Sequence, residues 1–205
     1  MIYAFLIHSA ENVGAVHFSH FYTGEGNDQS KASRQQTIIR KVLEDKTFQQ
    51  QSASYYPTRL DLRVLSSHTV NSLTTSKRIT ETYPIGNSEA KTIPVPTDGV
   101  VLIGQSGLFE ECHAGVWKQL GDVMFTVVCS RTDNLTLFSN TLLLIIEHLC
   151  RIFGLNKLEK LVAEEPDQVE LVITPHFRGG SPLIANYSVH RSMVKADESD
   201  RPFMS

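Results

Sequence analysis

The chain opens on an unbroken apolar run, Ile2-Tyr3-Ala4-Phe5-Leu6-Ile7, too short for an independent helix and rich in strand formers. Apolar residues on both faces predict a central strand covered on two sides. After the polar pair Glu11-Asn12, the segment Val13 to Tyr22 alternates Val16 and Phe18 with His17 and Ser19, and ends at Gly24-Glu25-Gly26-Asn27-Asp28. A period of two bounded by turn residues predicts a second strand, and the two runs together a β-hairpin. From Ser30 to about Gln51 the period changes: Ile38 with Val42 and Ile39 with Leu43 recur four apart, with Lys, Arg and Gln opposite. That spacing stacks apolar side chains on one stripe of an amphipathic helix. Asp28 or Ser30 is expected to cap its first turn by accepting unpaired backbone N–H groups.

Residues 55–97 break the pattern. They carry Ser66-Ser67, Thr74-Thr75-Ser76 and four prolines at 57, 84, 94 and 96, with no sustained helical period. The expectation is a flexible Ser/Thr/Pro-rich insertion, in which Leu60, Leu62, Val64 and Leu65 offer a short edge strand. Strand patterns return at Val100 to Ile103, Ala114 to Leu120 and Val123 to Cys129, the last two joined by Gly121-Asp122. Gly and Asp tolerate the positive φ of a tight turn, so a second hairpin is expected there. Beyond Arg131 to Asn134, the residues Leu142, Ile145, Ile146, Leu149 and Phe153 fall at i, i+3, i+4, i+7 and i+11, and Gly154 follows. This predicts a second amphipathic helix stopped by Gly154. Leu155 to Ala163 and the segment opened by Pro166-Asp167 predict short helices, Pro175 and Gly179-Gly180 interrupt, Ile184 to Val194 is a further helical segment, and 196–205 is a frayed polar tail.

Composition narrows the reading. At 205 residues and 41% hydrophobic, the chain is long enough for one sizeable core, which makes one domain the expectation. A net charge of −3 leaves no surplus of cations for a phosphate backbone, which argues against nucleic acid as a partner. Cys112, Cys129 and Cys150 lie widely spaced in or beside apolar runs, as thiols kept reduced would. The apolar start is stopped by His8 and has no basic residue before it, unlike a signal sequence. Leu135 to Phe153 is interrupted by Ser139, Asn140, Glu147, His148 and Arg151, which would cross a bilayer at high cost.

Candidate chemistry is sparse. Gly104-Gln105-Ser106-Gly107 is similar to the start of a nucleophile elbow, but Leu108 stands where the last glycine is needed, so a turn after a strand is expected. Cys112-His113 and His148-Leu149-Cys150 bring together metal-capable side chains without the repeated ligand spacing of a structural zinc site. His17 and His20 lie three apart on a strand and point to opposite faces. Gly24 to Gln29 precedes a helix like a phosphate loop, but it lacks the Lys-Ser/Thr pair and carries acids that would repel phosphate. No catalytic, cofactor or metal residues emerge from local spacing, and the expectation is a chain that is not an enzyme.

The order of strand, strand, helix, insertion, strands, helix, helix is that of a longin domain. Within it, Met1 to His8, the stretch from Val116-Trp117-Lys118-Gln119-Leu120-Gly121 through Phe125-Thr126-Val127-Val128-Cys129, the Asp133-Asn134-Leu135 turn and the helix from Asn140 to Phe153 resemble the small (sigma) subunits of clathrin-type adaptor complexes. The Ala4-Phe5-Leu6-Ile7-His8 start, the middle insertion and the block from Asp167 to Asn186 make it most similar to the sigma subunit of the fifth adaptor complex, AP-5.

This resemblance implies an α+β longin (SNARE-like) fold, a five-stranded, mostly antiparallel sheet flanked by helices, in a single domain over 1–205. It further implies a non-catalytic subunit of a heterotetrameric adaptor in endosomal and lysosomal vesicle transport. The chain would be held by a large, a second large and a medium subunit, with spatacsin and spastizin as further partners. It would be cytoplasmic, reaching late endosome and lysosome membranes peripherally through the complex. By the same resemblance Leu143, Ile146 and Phe153 are candidate residues of a pocket for dileucine cargo signals, although their helical spacing is equally that of core. Another longin protein, a tethering or GTPase-regulating subunit, would share the fold and differ in partner.

Overall fold

The structure is a computed structural model and describes residues 1–25, 28–55, 97–154, 158–178, 180–182 and 192. The expected insertion between 55 and 97, the helix expected over 184–194 (residue 192 aside) and the polar tail lie outside the described residues. Five strands, β1 (Ile2–Ser9), β2 (Val16–Phe21), β3 (Thr97–Ile103), β4 (His113–Leu120) and β5 (Val123–Ser130), form one sheet in the order β2-β1-β5-β4-β3. Every neighbouring pair in it is antiparallel. The helices are α1 (Lys31–Tyr55), α2 (Leu135–Phe153), α3 (Leu158–Glu164) and α4 (Pro166–Ile173). This is the α+β longin arrangement, with a sheet antiparallel throughout.

The opening run does lie inside the sheet, between β2 and β5, although β5 occupies the middle position. Its residues divide between two cores: Ile2, Phe5 and Ile7 on the side of α2, and Tyr3, Ala4 and Leu6 on the side of α1. A register irregularity between Ile2 and Ala4 explains why Tyr3 and Ala4, adjacent in sequence, share a side. The second strand begins at Val16 rather than Val13, because Asn12 closes a turn: its side-chain Oδ1 accepts from Gly14 N–H at 2.9 Å and its carbonyl from Ala15 N–H at 3.1 Å.

α1 buries Ile38, Ile39 and Val42 with Leu43 beside them, which is the stripe read from the sequence. Of the two expected caps, Ser30 stands directly before the helix, its carbonyl accepting from Arg34 N–H at 3.0 Å. The Asp28 carboxylate accepts from Ser30 N–H at 2.7 Å, ahead of the helix, and is otherwise committed to Arg34. Trp117, 1% exposed, packs with Val42, Met124 and Ala10 under the same helix.

The other face is covered by α2, whose Leu142, Ile145, Ile146, Leu149 and Phe153 all enter the main core with Val116, Phe125 and Val127. Burying each such side chain stabilises the fold by about 1.5–3 kcal/mol. The helix starts earlier than expected, at Leu135, because the Asn134 side chain accepts from Leu137 N–H at 3.1 Å and caps it. Gly154, at φ 76°, ends it where expected, its N–H bonded to the Cys150 carbonyl. By length and composition alone α2 could cross a membrane, but in this fold its apolar stripe is spent on the sheet. The segment after Pro175 forms a two-residue antiparallel ladder, β6 (Phe177–Arg178) with β7 (Ser181–Pro182), too short to leave a period in the sequence.

Candidate functional site

The residues that raised the question of chemistry resolve into structure. Ser106 and Phe109 exchange backbone hydrogen bonds across Gly107-Leu108, and the Ser106 hydroxyl accepts from Leu108 N–H at 3.3 Å. The serine is therefore the corner of a tight turn, as expected of a strand followed by a turn. Cys112 is exposed, and its Sγ accepts from Gln105 N–H at 3.4 Å. Its neighbour His113 instead points inward, with its ring 4.3 Å from that of Tyr3. His148 Nδ1 and His176 Nε2 lie 3.4 Å apart and fully buried, joining α2 to the turn after α4. Among the described residues no group of three or more His, Cys, Asp or Glu is placed to hold a metal ion.

Burial governs the titratable groups in the core. It pushes the Cys129 and Cys150 thiols up to about 12, away from the thiolate that nucleophilic or metal-binding cysteines need. His8 is held down at about 4 by burial, with its Nδ1 2.9 Å from the Ser9 carbonyl and its Nε2 3.2 Å from the Thr126 hydroxyl. His8 with Thr126 ties β1 to β5, and Cys129 Sγ, 3.6 Å from the Ala114 carbonyl, ties β5 to β4.

The acidic loop that superficially matched a phosphate cradle has a different use. Arg34, buried on α1, donates to both oxygens of Asp28, to the Glu25 carbonyl and to the Leu108 carbonyl. Glu25 in turn accepts from Glu110 N–H at 3.0 Å. The β2–α1 loop is thereby tied to the β3–β4 loop. The Arg34 guanidinium holds the Asp28 carboxyl below its usual range.

The described surface leaves several large apolar side chains exposed. Val100 and Leu102 are 47% and 60% exposed on the edge strand β3, paired with Val116 and Ala114 and so facing the α2 side. Of the three candidate pocket residues, Leu143 is 42% exposed on α2, while Ile146 and Phe153 are buried in the main core. The structure therefore does not bring the three together on one open surface. The i, i+3 and i+10 spacing put Ile146 and Phe153 on the sheet-facing stripe and Leu143 off it.

A second concavity was not read from the sequence. Phe18, His20 and Tyr22 from the β2 edge face Glu170, Ile173, Thr174 and Phe177 across a pocket of about 180 Å3. The only sequence signal was the alternation of Phe18, His20 and Tyr22 along β2; the facing wall comes from residues about 150 positions later.

A family model described as AP-5 complex subunit sigma-1 matches residues 1–196 of the chain. Among structures, the chain is similar to one in a homology model of the full-length AP-3 complex in a stretched open conformation. The likeness covers 97% of this chain and 94% of that one at 16% identity and a TM-score of 0.43, too loose a superposition to argue from. Among curated proteins nothing matches.

Proposed function

Since the chain belongs to the AP-5 complex subunit sigma-1 family, we propose that it is the non-catalytic small subunit of a heterotetrameric adaptor acting in endosomal and lysosomal vesicle transport. The family match over residues 1–196 carries this reading, because it spans the five strands of the described sheet and helices α1 to α4. Its partners would be the large, second large and medium subunits, with spatacsin and spastizin joining the assembly. Membrane contact would be peripheral, made through the complex at late endosomes and lysosomes.

The exposed apolar residues support an obligate subunit in particular. Val100 and Leu102 on β3 and Leu143 on α2 leave apolar surface that an isolated domain gains nothing by exposing, and obligate interfaces are large and apolar. Leu143 is the member of the candidate cargo pocket that stands open; recruiting Ile146 and Phe153 to a dileucine signal would require α2 to shift on the sheet.

Imaging of the fluorescently tagged chain tests the location. The expected result is puncta overlapping late endosome and lysosome markers that disperse when the large subunit is depleted. A signal that stays on those membranes without the large subunit, or never reaches them with it, contradicts the reading.

A further inference from the structure

The two edges of the sheet differ. On β2, His17 and Phe21 have further partners. β3 pairs with β4 along its whole length, from Thr97 opposite Gln119 to Ile103 opposite His113. Among the described residues no strand pairs with its other side, and no main-chain hydrogen bond ties Thr97 to Ile103 to anything but β4. Alternate residues of such a strand turn unpaired N–H and C=O groups outward, a template for a further strand. Edges are commonly blunted by a lysine, a proline or a bulge. Thr97-Asp98-Gly99-Val100-Val101-Leu102-Ile103 holds no lysine, arginine or proline, and its pairing with β4 runs without a register shift.

The faces beside this edge select its occupant. On the α1 side Val101 packs with Trp117 and Val42, and Ile103 is buried. On the other side α2 lies over β4 and β5, and α3 and α4 lie over β2, which leaves Val100 and Leu102 uncovered. Leu143 stands on the flank of α2 away from His148, which meets His176 beyond α4, and so on the flank towards β3. A strand laid along β3 would turn every second side chain onto this apolar shelf. Charge adds a second requirement. From Thr97 to Cys112 the chain carries Asp98, Glu110 and Glu111 and no lysine or arginine, and all three acids are exposed. Asp98 lies at one end of the edge; Glu110 and Glu111, just before His113, lie at the other. Lys118, the ion partner of Asp98 at 3.6 Å, is itself buried and leaves the edge negative.

We propose that the outer edge of β3 receives a basic, extended segment of another adaptor subunit as an added strand. Two apolar side chains of the segment, two residues apart, cover Val100 and Leu102 beside Leu143, and flanking Lys or Arg side chains meet Asp98 at one end and Glu110 and Glu111 at the other. The proposal rests on the adaptor-subunit reading above. Main-chain pairing supplies the affinity, and the apolar shelf with its acidic ends supplies the choice of partner.

The test is reconstitution of the complex from the purified remaining subunits, with amide hydrogen exchange read along β3 in the free and the assembled wild-type chain. Alternate amides between Thr97 and Ile103 should exchange fast in the free chain and roughly a hundredfold more slowly in the complex. Val100→Lys with Leu102→Lys, first shown to melt as wild type does, should weaken assembly at least about tenfold. Asp98→Asn with Glu111→Gln should flatten the salt dependence of assembly. Equal exchange in the free and assembled chain overturns the proposal, as does wild-type affinity in the lysine variant or an unchanged salt dependence in the neutralised one. Slow exchange of every β3 amide in the free chain also overturns it, since the edge would then be covered by the chain itself or by a second copy. Failure of the wild-type chain to assemble would instead refute the adaptor reading on which the proposal stands.

Discussion

Trp117 Nε1–H donates to Asp45 Oδ2 at 2.8 Å, joining β4 to α1 across 72 positions of sequence. The indole is 1% exposed, and Gln49 Nε2 donates to the same oxygen at 3.0 Å. This one carboxylate orients the helix over the sheet at the end where Gly99 passes under the ring, so close that a Cβ there would lie 2.6 Å from Trp117. Asp45→Ala leaves a buried indole N–H unpaired and should lower stability by about 1–3 kcal/mol. Asp45→Asn, which keeps an acceptor, should lose clearly less. Urea denaturation of the two variants separates the outcomes, and equal losses would show that the charge, not the hydrogen bond, matters.

Asn134 supplies the cap that starts α2. Asn134→Ala should cost about 1 kcal/mol, a fall in Tm of about 2–4 °C for a domain of this size. Asn134→Asp and Asn134→Ser retain an acceptor and should melt close to wild type in differential scanning calorimetry.

Ile145 is fully buried between α2 and the sheet. Ile145→Ala should destabilise by about 2–5 kcal/mol through lost burial and the cavity left behind. Ile145→Asp places an unpaired charge there and should leave no cooperative melting transition. A wild-type thermal transition in Ile145→Asp would refute the placement of α2.

His8 makes stability depend on pH. Its folded value of about 4 lies below the ordinary 6.5, so the unfolded chain binds the proton more readily. The folded state is therefore at full advantage above about pH 6.5 and loses stability as pH falls towards 4, by up to about 3 kcal/mol. His113, also held below its ordinary value by burial, adds loss in the same direction. Denaturation curves from pH 7.5 to 4.5 should show this decline, and His8→Gln should flatten it. An unchanged slope in that variant would place the acid sensitivity elsewhere.

Legibility in the sequence followed locality. The β4–β5 hairpin was readable because Gly121, at φ 61°, and Asp122 make its turn between two uninterrupted strand patterns. The stripe of α2 was readable because five large apolar residues mark a single face. The first turn of that helix was not, since Leu135, Thr136 and Leu137 carry no distinguishing period and the start is decided by the Asn134 side chain. Residue type marks Asp28 as a helix cap but does not reveal that Arg34, six positions on, claims its carboxylate. The candidate pocket on α2 was read from one helix, and the sheet beneath it took Ile146 and Phe153 for the core. The cavity beside β2 draws its two walls from opposite ends of the chain, a juxtaposition that only the folded sheet creates.

Membership of the AP-5 sigma family makes this chain a small subunit of an adaptor complex. Affinity purification of the tagged chain from cytosol, with mass spectrometry of stoichiometric partners, tests it most directly. Recovery of two large subunits and a medium subunit at equal amounts is the predicted result. Recovery of tethering or GTPase-regulating subunits in their place, or of the chain alone, would contradict it.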